Sequence, residues 1–167
     1  VKIDGISKEE YAWGLRVGFL TFASLGLDAK ALKALTDKAA GAIRGSISNA
    51  SNLSQQLITR AMRASEYTKE KAAHKALLRD RYKKVQETFT AHPEYLERFQ
   101  VLPFNSGYFM CVRIVSPNDA EIVRQRMLSE HSVGVVALND VLRIAFSSTP
   151  QERIAELFSA IYQSCST

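Results

Sequence analysis

Ser7 and Lys8 stand side by side near the start of the chain, and Arg16 follows in Gly14-Leu15-Arg16-Val17-Gly18. A lysine amine condenses with an aldehyde to a Schiff base once burial or neighbouring positive charge has released its proton. A guanidinium presents a planar fork that matches phosphate oxygens, and a serine hydroxyl adds one more donor. Glycines on either side of the arginine let the backbone come close to a bound group. Lys8, Ser7 and Arg16 therefore suit an aldehyde that carries a phosphate. Taken singly, a Ser-Lys pair is a surface dipeptide and Ser7 a turn serine. The selective feature is the whole string Ser-Lys-x5-Gly-x-Arg-x-Gly, followed by the apolar run Phe19-Leu20-Thr21-Phe22-Ala23.

Two further arginines have chemical potential. Arg143 interrupts the apolar run Val141-Leu142-Arg143-Ile144-Ala145-Phe146. A charge buried in such a strand needs a carboxylate, from the protein or from a ligand; the alternative is an edge-strand arginine turned to solvent. Arg44 opens Arg44-Gly45-Ser46-Ile47-Ser48-Asn49, where on local grounds it is a helix-end cation favoured by the helix dipole. Tyr108 and Phe109 suit core packing. His74, His92 and His131 lack ligand spacing, and Cys111 and Cys165 form neither a disulfide framework nor a metal motif. No metal site is expected.

The lysine segment resembles that of the fold-type I pyridoxal-phosphate enzymes, the aspartate-aminotransferase-like superfamily with its class I/II aminotransferases. The resemblance extends from this segment to the last helix and is most specific at Lys8–Gly18 and Val141–Phe146. It implies pyridoxal phosphate as cofactor, with Lys8 holding it covalently and Ser7 and Arg16 gripping its phosphate. It implies that Arg143 binds the substrate α-carboxylate and that Arg44 resembles the arginine reaching a dicarboxylate's distal group across a dimer interface. The chain departs from the pattern at Gly5, where many members have serine or threonine, at Trp13, where many have proline, and at Ala50-Ser51, where prolines usually follow. Amino acid and 2-oxo acid substrates and a homodimer are implied. In the superfamily the lysine lies well past the middle of the chain, and other cofactor contacts precede it. This chain thus looks like the C-terminal part of an aminotransferase, expected to be inactive and to bind cofactor weakly or not at all on its own. A lyase or synthase of the same fold, and an aminotransferase-like ligand-sensing domain of a transcription regulator, share these residues.

The elements that must position these groups follow from the hydrophobic pattern. Asp28 caps an Ala- and Lys-rich helix running to about Ile43. Residues 46–52 form a polar loop, and Asn52 or Ser54 caps a helix to about Ala64. A long helix from Ser65 to about Thr90 carries the stripe Leu78, Tyr82, Val85 and Phe89, and Pro93 ends it. Strands are expected at 99–102, 108–115, 133–137 and 141–147, with a helix started by Ser116-Pro117 and ending near His131 and a last helix capped by Thr149-Pro150. The fold class is α/β (α+β): a small sheet of three to four strands with helices packed on it over 65–167, preceded at 1–64 by a helical remnant of a large cofactor-binding domain. The chain has 167 residues, 46% hydrophobic and 23% charged, with a net charge of +5. Its densest basic stretch, Lys69 to Lys84, is interleaved with Glu70 and Asp80, which reads as a solvated helix face and not as a nucleic-acid stripe. No apolar run approaches the roughly 20 residues of a membrane span, and the N-terminus lacks the apolar core of a signal peptide. Neither nucleic acid nor membrane is expected as a partner, and a reducing, cytoplasmic setting is.

Overall fold

The computed structural model describes residues 1–115 and 119–165. The chain divides into two units, 1–73 and 74–167. In the first, β1 (Lys2–Gly5) pairs antiparallel with β2 (Gly18–Thr21), Gly5 opposite Gly18. The intervening loop holds α1 (Ile6–Glu9) and a 3-10 turn over Trp13–Leu15. Buried Ile6 and Val17 meet Ile58, and Ala12 and Leu15 pack around them.

Three helices continue the unit: α2 (Ala29–Ser46), α3 (Asn52–Met62) and the start of α4 (Tyr67–Ala91). Asp28 caps α2 as expected, accepting from the Ala31 amide at 2.7 Å. The helix runs past Ile43 to Ser46, where the Ile47 amide still bonds to the Ile43 carbonyl at 3.0 Å and the Ser46 hydroxyl bonds back to the Ala42 carbonyl at 2.8 Å. The cap of α3 is Ser51, which accepts from the Ser54 amide, and neither Asn52 nor Ser54 fills that role. Residues 1–64 are thus not wholly helical: the β1–β2 pair closes their first segment.

In the second unit, β3 (Phe99–Val101), β4 (Met110–Ile114), β5 (Val136–Leu138) and β6 (Val141–Ile144) form an antiparallel sheet in the order β3-β4-β6-β5. Alternation places Met110, Val112, Ile114, Leu142 and Ile144 inward and Cys111, Arg113 and Arg143 outward. The core is completed by Val85 of α4, by Val123 and Met127 of α5 (Ala120–His131), and by Ile154, Phe158 and Ile161 of α6 (Ile154–Ser164). Tyr82 and Phe89 of the expected stripe pack against it.

The strands are shorter than the apolar runs because burial does not require pairing. Val133 and Val135 pack on the core outside β5. Phe146 is fully buried from a 3-10 turn beyond β6. Asn139 takes the left-handed conformation (φ 54°) in the tight β5–β6 turn. Ser116-Pro117 lies outside the described residues; α5 is capped by Asp119, whose carboxylate accepts from the Ile122 amide at 2.8 Å. Thr149-Pro150 leads into a 3-10 turn over Gln151–Arg153 and does not itself cap α6.

Candidate functional site

The lysine segment is built by its own loop. With Gly5 paired to Gly18, the Ile6 amide donates to the Val17 carbonyl at 3.2 Å. This bond and the burial of Ile6 and Val17 draw two sequence-distant stretches together. Gly18 permits a close approach, since a Cβ there would stand 3.2 Å from the Asp4 carbonyl oxygen and the pair would have to part by a few tenths of an ångström. Gly14 and Gly5 have no atom within 4 Å of where a Cβ would be, so space is open on both sides of the motif.

Inside this frame the Arg16 Nη1 donates to Ser7 Oγ at 3.5 Å and to the Trp13 carbonyl at 3.4 Å. Arg16 is held in the left-handed conformation (φ 52°, ψ 45°), which folds its side chain back over the loop. Ser7 is half-buried, and Lys8 and Arg16 are exposed. Among the described residues no carboxylate pairs with Arg16. The long bonds to Ser7 and Trp13 are ones a phosphate would readily displace, because charge-assisted contacts are shorter and stronger. The donor set thus fits a phosphate, beside the amine of the adjoining residue.

Arg143 lies in β6, inside the sheet, opposite Cys111 of β4 and Val136 of β5. β6 is therefore not an edge strand, yet Arg143 is exposed on the sheet's outer face, as the solvent-facing alternative expects, and is not buried. Its guanidinium lies over the Phe109 ring, 4.8 Å from the centroid, a contact that holds the cation without neutralising it. Arg113 on the same face differs, since Asp140 pairs with it at 2.8 Å. Among the described residues no carboxylate pairs with Arg143.

Arg44 sits in the last turn of α2 and donates to Ser48 Oγ at 2.8 Å. This is a local contact within the helix end. No described hydrogen bond or ion pair joins it to Ser7, Lys8 or Arg16.

A second cluster was not foreseen. Tyr67 donates to Glu10 Oε2, Lys71 Nζ reaches Glu10 Oε1 at 2.7 Å, and the same Nζ lies 3.3 Å from the Tyr67 hydroxyl. Burial works to raise the Glu10 carboxyl, but the Lys71 and Tyr67 hydrogen bonds and the Lys71 charge bring it below the ordinary range. The same bonds to Glu10 raise Tyr67 and Lys71. Tyr67 and Lys71 at i and i+4 share a helix face, but no spacing in the sequence points from that face to residue 10. Among the described residues no cluster of His, Cys, Asp and Glu could hold a metal ion, and no helix is long and apolar enough to cross a membrane.

Known proteins match this architecture. The family model "Aminotransferase class I and II" covers residues 3–161. The α-aminoadipate aminotransferase LysN of Thermus thermophilus, solved with N-(5'-phosphopyridoxyl)-L-leucine, is similar over 92% of this chain and 39% of its own (TM-score 0.69, 19% identity). An aminotransferase of Anaerococcus prevotii is similar over 98% of this chain and 38% of its own, with the same TM-score and identity. The chain spans about two fifths of the length of these structures. No curated protein matches it.

Proposed function

Because the chain belongs to the aminotransferase class I and II family, we propose that it carries the covalent cofactor lysine and the anion-binding arginines of an enzyme that moves an amino group between an amino acid and a 2-oxo acid. Pyridoxal phosphate is the cofactor of that family. Lys8 would hold it through the amine, and Arg16 and Ser7 through its phosphate. When bound, the cofactor supplies an electron sink that makes the substrate Cα–H bond acidic.

The work of the chain's own residues follows. The Lys8 amine, when free, would take the proton from the substrate Cα as general base and, once protonated, would serve as general acid. Arg143 takes the α-carboxylate in a two-bond fork, with Phe109 limiting the swing of its guanidinium. Arg44 extends the reading to a substrate's second carboxylate, which would exchange with Ser48. The reading includes a homodimer in the cytoplasm. Because the chain spans two fifths of the matched structures, activity is proposed for a longer protein, with the 167-residue chain inactive alone.

The observation that carries this reading is the Ser7–Arg16 contact beside Lys8, enforced by the Gly5–Gly18 pairing and the buried Ile6–Val17 contact. Its test is an absorption spectrum of the chain mixed with pyridoxal phosphate, beside a Lys8→Ala control. A near-visible band lost in Lys8→Ala supports the role of Lys8. A band that survives the substitution overturns it. Transaminase activity of the isolated chain would refute the expected inactivity.

A further inference from the structure

We infer that Glu10, gripped by Tyr67 and Lys71, is a positioning residue that clamps the turn carrying Lys8. The inference rests on the cofactor role of Lys8 proposed above. It begins with the brevity of α1: four residues form a single turn, which has no stability of its own in water. Something outside α1 must fix the direction in which Ser7 and Lys8 project.

One end is accounted for. Ile6 is anchored by burial and by its amide bond to Val17. The other end bonds back to α1 itself, the Ala12 amide reaching the Ile6 carbonyl at 3.3 Å with Ala12 packed beside Ile6, so a tie to another element has to come from a side chain. Glu10 terminates α1 through its amide, which donates to the Ile6 carbonyl, and Tyr11 then turns the chain in the left-handed conformation (φ 56°). A non-glycine residue keeps that conformation only where its surroundings impose it.

Glu10 supplies such a tie. Its side chain is 9% exposed, and a carboxylate that far from water is tolerated only when fully paired. Both oxygens are: one takes the Tyr67 hydroxyl and the other the Lys71 ammonium. Tyr67 and Lys71 are held one above the other by α4, so the carboxylate meets two donors of fixed spacing. Residue 10 is thereby tied to the first turns of α4, two residues beyond the lysine. The Lys71 charge is also spent on Glu10, which leaves the pair close to neutral beside the Lys8 segment.

The experiment uses the whole chain and three variants, Tyr67→Phe, Glu10→Gln and Lys71→Arg. Lys8 is labelled with pyridoxal phosphate, trapped with borohydride and quantified by peptide mapping, while amide hydrogen exchange is followed over residues 6–12. In Tyr67→Phe and Glu10→Gln, with thermal midpoints showing a folded chain, exchange over 8–12 should rise and Lys8 labelling fall. Each should change by about tenfold, the scale of one charge-assisted hydrogen bond. Lys71→Arg retains a donor and a charge and should keep the wild-type rates. Wild-type exchange and labelling in folded Tyr67→Phe overturn the clamp; this variant decides the matter even if Glu10→Gln fails to fold. If wild-type Lys8 is labelled no faster than exposed Lys30, the chain alone holds no cofactor site, as expected of two fifths of the matched structures, and the exchange rates alone decide whether Glu10 holds the turn.

Discussion

Glu10, Tyr67 and Lys71 show how three ordinary residues acquire a pH signature by sharing one carboxylate. The Glu10 carboxyl is depressed, so its contribution to stability is complete above its unfolded value, about 4.3, and is lost as pH falls through the folded value. Tyr67 and Lys71 are raised, so theirs is complete below about 10 and is lost as pH rises through the folded values. The stability difference between wild type and Glu10→Gln should therefore form a plateau from about pH 5 to pH 9 and shrink on both sides. Denaturant titrations across pH measure it; a difference independent of pH would contradict the pairing. Little of this was legible beforehand, because Glu10 and its partners lie 57 and 61 positions apart. The lysine string was legible because Ser7, Lys8 and Arg16 fall within ten residues that one hairpin-like pairing closes.

At the level of elements, sequence pattern identified helices better than it placed their ends. Periodicity located α4 and α6, each of which buries side chains along one face, whereas α2, none of whose residues is buried, was expected from Asp28 and its Ala- and Lys-rich composition. Their starts were decided by single hydroxyls and carboxylates: Asp28 capped α2, Ser51 captured the cap of α3 and Asp119 that of α5. For the strands, apolar character extended beyond pairing, because Val133, Val135 and Phe146 are packed without belonging to the sheet. The interior position of β6 depends on strand order, which a single apolar run does not encode. β6 also offers a contrast between its two faces. Leu142 is fully buried, and Leu142→Ala should lower unfolding stability by about 2–5 kcal/mol. Arg143→Ala, at an exposed neighbour, should change stability by about 0.5 kcal/mol or less, while removing the proposed carboxylate grip. Chemical denaturation of both variants checks the pair, and equal losses would contradict the assigned faces.

Across the whole molecule the two units differ in how much apolar surface they enclose. The second has a core that includes fully buried Phe99, Phe146 and Phe158, whereas the first has a cluster of only three buried residues. Cys165 belongs to the larger core, and burial pushes its thiol up to about 11. Cys111 is half-buried on the outer face of the sheet. A thiol reagent at neutral pH should therefore label Cys111 in the native chain and reach Cys165 only on unfolding. Mass spectrometry of the labelled peptides checks this, and early labelling of Cys165 would contradict its burial.

Helix α4 belongs to both units: Tyr67 and Lys71 lie in the first, and Tyr82, Val85 and Phe89 pack in the second. A recombination experiment exchanging the second unit with that of a relative could not be joined at the unit boundary without splicing through a helix. The natural crossover is the turn at 63–66, ahead of α4. Tyr67 and Lys71 would then travel with the incoming module while Glu10 stayed behind. A chimera could therefore inherit two sound halves and still misdirect its lysine, unless the donor brings a hydroxyl and a cation at those two positions.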